Sequence, residues 1–339
     1  MTGLRVLIVG GTGIISAAVV AESTRQGHEV HTLSRSGRAA RGVIVHRADM
    51  RDAASVRQAI DGLQFDVVVQ FVAFEVEHVR ADIELFAGRA AQYIFISSAS
   101  AYQTPPQRLP VTESTPLRNP FWEYSRKKIA CEDELVAAYR RDGFPVTIVR
   151  PSHTYNPTMV PFDGGWTVVE RMRKGLEVVV PGDGTSLWTI THHTDFARGF
   201  VGLFGRDEAI GEAFHITSDE ALTWNAIYAH IARAAGVEPR LVHVTSSAIA
   251  ATDPEWGAAL LGDKSNSMVF DNSKIRRLVP DFVCRVPFAR GAEEIIAWHD
   301  AHPDARVIDP RMDDVMNALI EAYRPRPLNS AHARKALSE

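Results

Sequence analysis

Cysteine is scarce in this chain: two residues, Cys131 and Cys284, in 339. They lie far apart and show no ligand-like spacing, which excludes a disulfide framework and a cysteine zinc site. Long apolar runs are also missing. Nothing approaches the roughly 20 residues of a membrane span, and the run Val6 to Val9 has a strand's length and leads into glycines rather than a cleavage site. Neither sign of charge dominates: 37 Lys and Arg face 41 Asp and Glu, a net charge of -4, which argues against a general binder of nucleic acid or membrane surfaces. No solenoid repeat or low-complexity tract occurs. What is present is ordinary for a globular chain, 45% hydrophobic and 23% charged. Its length allows one large domain or two fused ones, with a sizeable core. A cytoplasmic enzyme or binding protein is expected.

The first half alternates short apolar runs with helical patterns. "RVLIVG", "EVHTLS", "VIVH", "DVVVQFV", "YIFISS" and "PVTIVRP" read as strands. "ISAAVVAESTRQG", "AASVRQAIDG", "VRADIELFAGRA" and "YSRKKIACEDELVAAYRR" read as helices. Such alternation specifies an α/β fold, a doubly wound parallel sheet of Rossmann type with ligands at the carboxyl ends of its strands. After Pro151 turn signals crowd together in "PTMVPFDGGW" and "VVVPGDGTS", before helical patterns return in "HTDFARGFVGLFG", "TWNAIYAHIARAAG" and "ARGAEEIIAWHDAH". The expected organisation is a dinucleotide-binding domain over residues 1–155, to which 188–212 returns. A smaller α/β substrate lobe spans 156–187 and 213–323, and 324–339 form a mobile tail.

"LIVGGTGIIS" poses the first functional question. Gly10, Gly13 and Ser16 stand between a predicted strand and a predicted helix, the setting a dinucleotide loop requires. Gly10 permits a sharp turn, Gly13 lets a pyrophosphate approach the backbone, and the first helical amides point at the phosphate. An ordinary βα turn is the plainer reading. About 20 residues on, where an NAD-binding domain carries an acid, stand Ser34 and Arg35. Absence of the carboxylate and presence of a guanidinium, assisted by Arg38, favour NADP over NAD. A solvated basic loop is the alternative. Asp49 is a candidate for adenine contact or, equally, for capping the helix at "AASVRQ".

"EYSRKK" places Tyr124 and Lys128 four residues apart, on one face of a helix. A nearby ammonium favours the ionised phenol, so the pair is able to pass a proton to or from a substrate oxygen. "ISSASAY" ends a strand at the same sheet edge, where a hydroxyl reaches that oxygen.

In their order along the chain, "GGTGIIS", "RADMRD", "VVVQFVA", "SSASAY", "YSRKK", "VRPSHTY", "GDGTSLW", "HTDFA" and "DNSKIRRL" resemble an extended short-chain dehydrogenase/reductase of the NAD(P)-dependent epimerase/dehydratase type. The likeness runs over nearly the whole chain, and "GRAAQYIFISSASAY" is similar to the branch that includes chloroplast stem-loop-binding proteins. The resemblance implies Ser98 as the catalytic hydroxyl, Tyr124 as the acid–base, and Lys128 as its partner, also contacting the nicotinamide ribose. It implies a cofactor lined by Gly10, Thr12, Gly13, Ile14, Ile15, Ser34, Arg35, Arg38, Asp49, Met50, Phe71, Ala73, Ser97, Pro151 and His153. It also implies a homodimer through the helices of "YSRKK" and "VRADIELF".

Departures from the family pattern narrow the chemistry. Ala99 and Ser100 replace the acidic pair of sugar-nucleotide dehydratases, so water elimination is not expected. Trp188 stands where epimerases carry a pyrophosphate-gripping arginine; His153 replaces an asparagine and Asn156 a glycine. Ser100, His153, Trp166 and Trp188 are the expected substrate contacts, with core packing the competing role for the tryptophans. The adjacent His192 and His193 lack a ligand pattern; with Asp195 they are expected to pin a helix start, and no metal is expected. The reading is an NAD(P)-dependent oxidoreductase for a hydroxyl/carbonyl pair of a sugar-like small molecule, with no nucleic acid or membrane partner. Two alternatives stay open: a sugar or nucleotide-sugar epimerase with transient hydride transfer, and a cofactor-binding regulatory or RNA-associated protein without turnover.

Overall fold

Apolar β-branched runs buried on both faces build the centre of the molecule. The computed structural model describes residues 3–37 and 41–324. The first half runs β1 (Arg5–Val9), α1 (Ile14–Arg25), β2 (Glu29–Ser34), β3 (Ile44–Arg47), α2 (Ala53–Ala59), β4 (Phe65–Gln70), α3 (Val76–Phe86), β5 (Ala90–Ile96), α4 (Glu123–Asp142) and β6 (Val146–Pro151). The second half continues with β7 (His153–Tyr155), α5 (Trp166–Arg173), β8 (Glu177–Pro181), β9 (Leu187–Trp188), β10 (Ile190–His192), α6 (His193–Val201), β11 (Ala213–Ile216), β12 (Leu222–Thr223), α7 (Trp224–Ala234) and β13 (Arg240–Val244). It closes with α8 (Ser246–Thr252), α9 (Pro254–Ala259), α10 (Ser273–Leu278), α11 (Phe288–Ala301) and α12 (Pro310–Tyr323).

Seven parallel strands lie in the order β11-β6-β5-β4-β1-β2-β3. The order reverses between β1 and β4, and the crevice at that switch point is where a doubly wound sheet binds its ligand. Alternate side chains of one strand enter opposite layers. Val6 and Ile8 pack with Val19 of α1 and Phe196 and Phe200 of α6, while Leu7 and Val9 pack with Val56, Val79 and Leu135 of α2, α3 and α4.

The division of the chain differs from the sequence expectation at one strand. Ala213–Ile216 pairs in parallel with β6 and is the seventh strand of the main sheet, not part of the C-terminal lobe. Ile275 of α10, with Val279 and Phe282, also packs on the sheet layer that α6 covers. The lobe proper has its own core, built from α5, α7, α11 and α12 around the parallel pair β8 and β13. Arg324, the last described residue, is tied to Glu177 of β8, so the expected tail does not begin there; residues from 325 onward lie outside the described residues.

Candidate active site

At the end of β1 the chain turns through Gly10 at φ 85°, and a side chain there would strike Val72 Cγ1 at 2.5 Å. Only glycine fits both limits. Gly13 precedes α1, and its N–H donates to Ser16 Oγ at 2.8 Å, which holds the turn at the helix start. Beside it opens a cavity of about 680 Å³, lined by Gly10, Thr12, Ser34, Arg35, Asp49, Met50 and Arg51. Ser34 Oγ is buried there with no hydrogen-bond partner. An orphaned hydroxyl beside a guanidinium, in a wall with a glycine turn, fits the ribose and phosphates of a dinucleotide. Asp49 does not cap α2: its carboxylate accepts from the Arg51 amide, and Asp52 caps the helix through the amides of Ala54 and Ser55. Arg38 lies outside the described residues.

A second cavity, about 490 Å³, continues from the glycine turn along Gly13, Ile14, Ile15, Phe71, Ser97 and Lys128 to Pro151. A third, about 240 Å³, is lined by Ser100, Trp122, His153, Trp188, Asp263, Lys264 and Phe270. Ser98 and Tyr124 line both. The parallel sheet explains the meeting: β4, β5 and β6 all end on this edge, and α4 starts beside them. His153 lines the third cavity and not the second. Ala73 is fully buried, and what it offers is a carbonyl.

That carbonyl alters the role expected of Lys128. The Lys128 ammonium donates to the Ala73 and Ile96 carbonyls, both at 2.8 Å, and lies 5.9 Å from the Tyr124 ring centre. Burial lowers its pKa to about 8. The phenol of Tyr124 is pushed up to about 12 by burial, and the group that opposes the shift is the Ser98 hydroxyl bonded to it, not the lysine. Lys128 is not among the groups that act on the phenol, which burial raises above its ordinary value. Ser98 is in turn bonded to Ser100 Oγ at 2.8 Å, which receives the Ser125 hydroxyl at 2.8 Å, giving a short hydroxyl relay.

Other expected residues fall elsewhere. Trp166 is stacked on His299 at 4.6 Å inside the core of the lobe, away from the three cavities. An indole in a turn-rich segment finds more apolar surface inward than at a ligand edge. Trp188 does line the third cavity, though it is buried and stacked on Trp224. His192 caps α6 by accepting from the Thr194 amide, and Asp195 receives the Arg285 and Val286 amides, so this cluster does pin a helix start. Among the described residues no group of three or more His, Cys, Asp or Glu is placed to hold a metal ion, and no helix is long and apolar enough to cross a membrane.

A family model for NAD-dependent epimerases/dehydratases matches residues 6–87 and 83–217. The chain belongs to this epimerase/dehydratase family. Among curated relatives, the 2'-dehydrokanamycin reductase of Streptomyces kanamyceticus is 26% identical over 310 residues, 87% of this chain and 84% of the relative. The chloroplast stem-loop binding protein of 41 kDa b from Arabidopsis thaliana is 27% identical over 70% of this chain and 65% of the relative. Of solved structures, an epimerase from Methanothermobacter thermautotrophicus superposes with a TM-score of 0.74 at 17% identity, covering 90% of this chain and 94% of that one. UDP-glucose 4-epimerase from Bifidobacterium longum, in complex with NAD+ and UDP, gives 0.71 at 18% identity, covering 89% and 99%.

Within this epimerase/dehydratase chain the sequence reading missed Asp263 and Lys264. They sit on a π-helical turn, Leu260–Lys264, that continues α9. Burial raises the Asp263 carboxyl to about 6, against the opposing pull of Lys264. The one signal in the sequence was an adjacent pair of opposite charges flanked by "LLG".

Proposed function

We propose that this member of the epimerase/dehydratase family is an NADP-preferring oxidoreductase acting on the hydroxyl/carbonyl pair of a sugar-like small molecule. The observation that carries the reading is the wall of Ser98 and Tyr124 shared by the dinucleotide-side cavity and the 240 Å³ cavity beyond it. A bound nicotinamide cofactor supplies or accepts the hydride. Tyr124 donates its phenolic proton to the substrate oxygen as a carbonyl becomes an alcohol, and the Ser98 hydroxyl holds that oxygen. Burial keeps the Tyr124 phenol in its protonated form, with a proton to donate. Lys128, held by two carbonyls, fixes the start of α4 against β4 and β5. The outer cavity is smaller than the roughly 300–1,000 Å³ of drug-sized ligand sites and has no arginine in its wall. Both points favour a free sugar or cyclitol over a nucleotide sugar. The test is depletion of NADPH or NADH by the purified protein with a panel of neutral sugar ketones. Consumption with none of them would count against the proposal.

The cofactor preference has a separate expected outcome. NADPH should bind more tightly than NADH in a fluorescence titration, with a gap that narrows as salt rises, because Arg35 borders the cavity that Ser34 lines. Ser34→Asp should reverse the order. Equal affinities in the wild type would remove the case from Arg35.

The family resemblance extends the proposal to a homodimer through α3 and α4, which pack side by side within the chain. Light scattering should give twice the chain mass; a monomer at all concentrations would refute the pairing.

A further inference from the structure

The wall of the outer cavity carries an ion pair, Asp263 and Lys264, that keeps hydrogen-bonding capacity free beyond its own contact. Asp263 and Lys264 have side chains 14% and 10% exposed and form an ion pair at 3.7 Å, and the Lys264 ammonium lies 5.6 Å from the Trp122 ring centre. Neither side chain has another hydrogen-bond partner among the described residues. Their backbone is fixed instead. The Gly262 carbonyl accepts from Asn119 Nδ2 at 2.5 Å, and the Lys264 carbonyl accepts from Trp224 Nε1 at 3.1 Å. Gly262 lies so close to Trp122 that a side chain there would strike its Cβ at 2.5 Å. The turn is thus clamped between Trp122, two residues before Tyr124, and the lobe. One contact between them leaves most of the carboxylate's lone pairs and of the ammonium's three donors open toward the cavity, so a ligand able to bond both gains.

We propose that Asp263 and Lys264 are specificity residues that bind two neighbouring hydroxyls of an uncharged polyol, so that the substrate carries a vicinal diol next to the reacting carbonyl. The inference rests on the oxidoreductase reading above and narrows its substrate class. A carboxylate accepts from two hydroxyls, and an adjacent ammonium donates to their oxygens. The two charges nearly cancel, so a phosphate's gain at Lys264 is offset by Asp263 and an amine's gain at Asp263 by Lys264, which leaves a neutral ligand favoured. Trp122 and Trp188 in the same wall add apolar surface beside the pair.

The test uses NADPH consumption and, in parallel, calorimetric binding to the NADP-loaded protein. The probes are polyhydroxy cyclohexanones, their analogues lacking the hydroxyl beside the carbonyl, and their amino and phosphate derivatives. A neutral diol should be turned over, and loss of one hydroxyl should raise KM about 10-fold, a hydrogen bond to a charged group. In Asp263→Asn and Lys264→Met that penalty should fall below about 2-fold, while NADPH affinity, which reports folding, stays unchanged. A variant that loses NADPH binding is replaced by the deoxy comparison on the wild type, which reads the same contact without mutation. Turnover with an undiminished penalty in both variants, or preference for amino or phosphate probes, overturns the diol assignment and leaves the oxidoreductase reading intact. Failure of every probe to bind or react overturns both.

Discussion

Tyr124→Phe is expected to lower turnover about 10²-fold or more, the scale of general acid–base catalysis, or about 2.7 kcal/mol of barrier. The ring should stay where it is. It packs on Trp122 at 4.8 Å and on Phe74 at 6.3 Å, and neither contact uses the hydroxyl. Cofactor affinity should therefore hardly change, and a fluorescence titration beside the rate measurement separates the two effects. The wild-type rate should show no loss of acid function through neutral pH, because the phenol does not ionise until about 12. Near wild-type turnover in the variant would remove Tyr124 from the mechanism.

The glycine turn and the Tyr124–Lys128 pair were legible in the sequence because their geometry is local. A strand, a glycine turn and a helix in succession place Gly10 and Gly13 without reference to the rest of the chain, and a spacing of four places two side chains on one helix face. Where the pairing is distant the sequence is silent. "AFHI" is a strand by its residues, but nothing in it says that it joins β6 rather than the lobe. Trp166 shows a second limit: residue type sends an indole toward apolar surroundings, and only the packed lobe decides that His299 supplies them. Lys128 shows a third. Its spacing from Tyr124 is as expected, yet two carbonyls from β5 and the β4–α3 segment compete for its ammonium, and neither is visible as a motif. Asp263 and Lys264 belong to no motif and reach the cavity through a tertiary clamp.

Arg150→Met should cost about 3–5 kcal/mol of stability, the effect of breaking a buried ion pair by removing one partner. Arg150 on β6 and Glu132 on α4 are bonded at 2.5 and 3.0 Å, with side chains 7% and 2% exposed. Glu132 also receives the Ser97 hydroxyl, and Arg150 lies 4.9 Å from the Tyr102 ring centre. Glu132 falls one helical turn beyond Lys128, so the pair ties the face of α4 that carries Lys128 to β6, which ends at Pro151. Without the guanidinium a carboxylate is left in the interior with one hydroxyl donor. Urea denaturation should show the loss, and Glu132→Leu combined with Arg150→Met should restore most of it, since the buried charge is then gone. A single variant as stable as wild type would mean that water or a rearranged neighbour satisfies Glu132.

The seventh strand has a consequence for how the protein is made. β6 is complete at Pro151, but its neighbour in the sheet starts at Ala213, and Ile275, Val279 and Phe282 complete the layer over that part of the sheet still later. A chain emerging from the ribosome therefore holds an open strand edge and an uncovered apolar face while most of the lobe is still being synthesised. Such edges recruit other chains. The dinucleotide half is not a module that can be cut out at residue 155, as a linear map of the motifs invites. It is finished from the far end of the sequence.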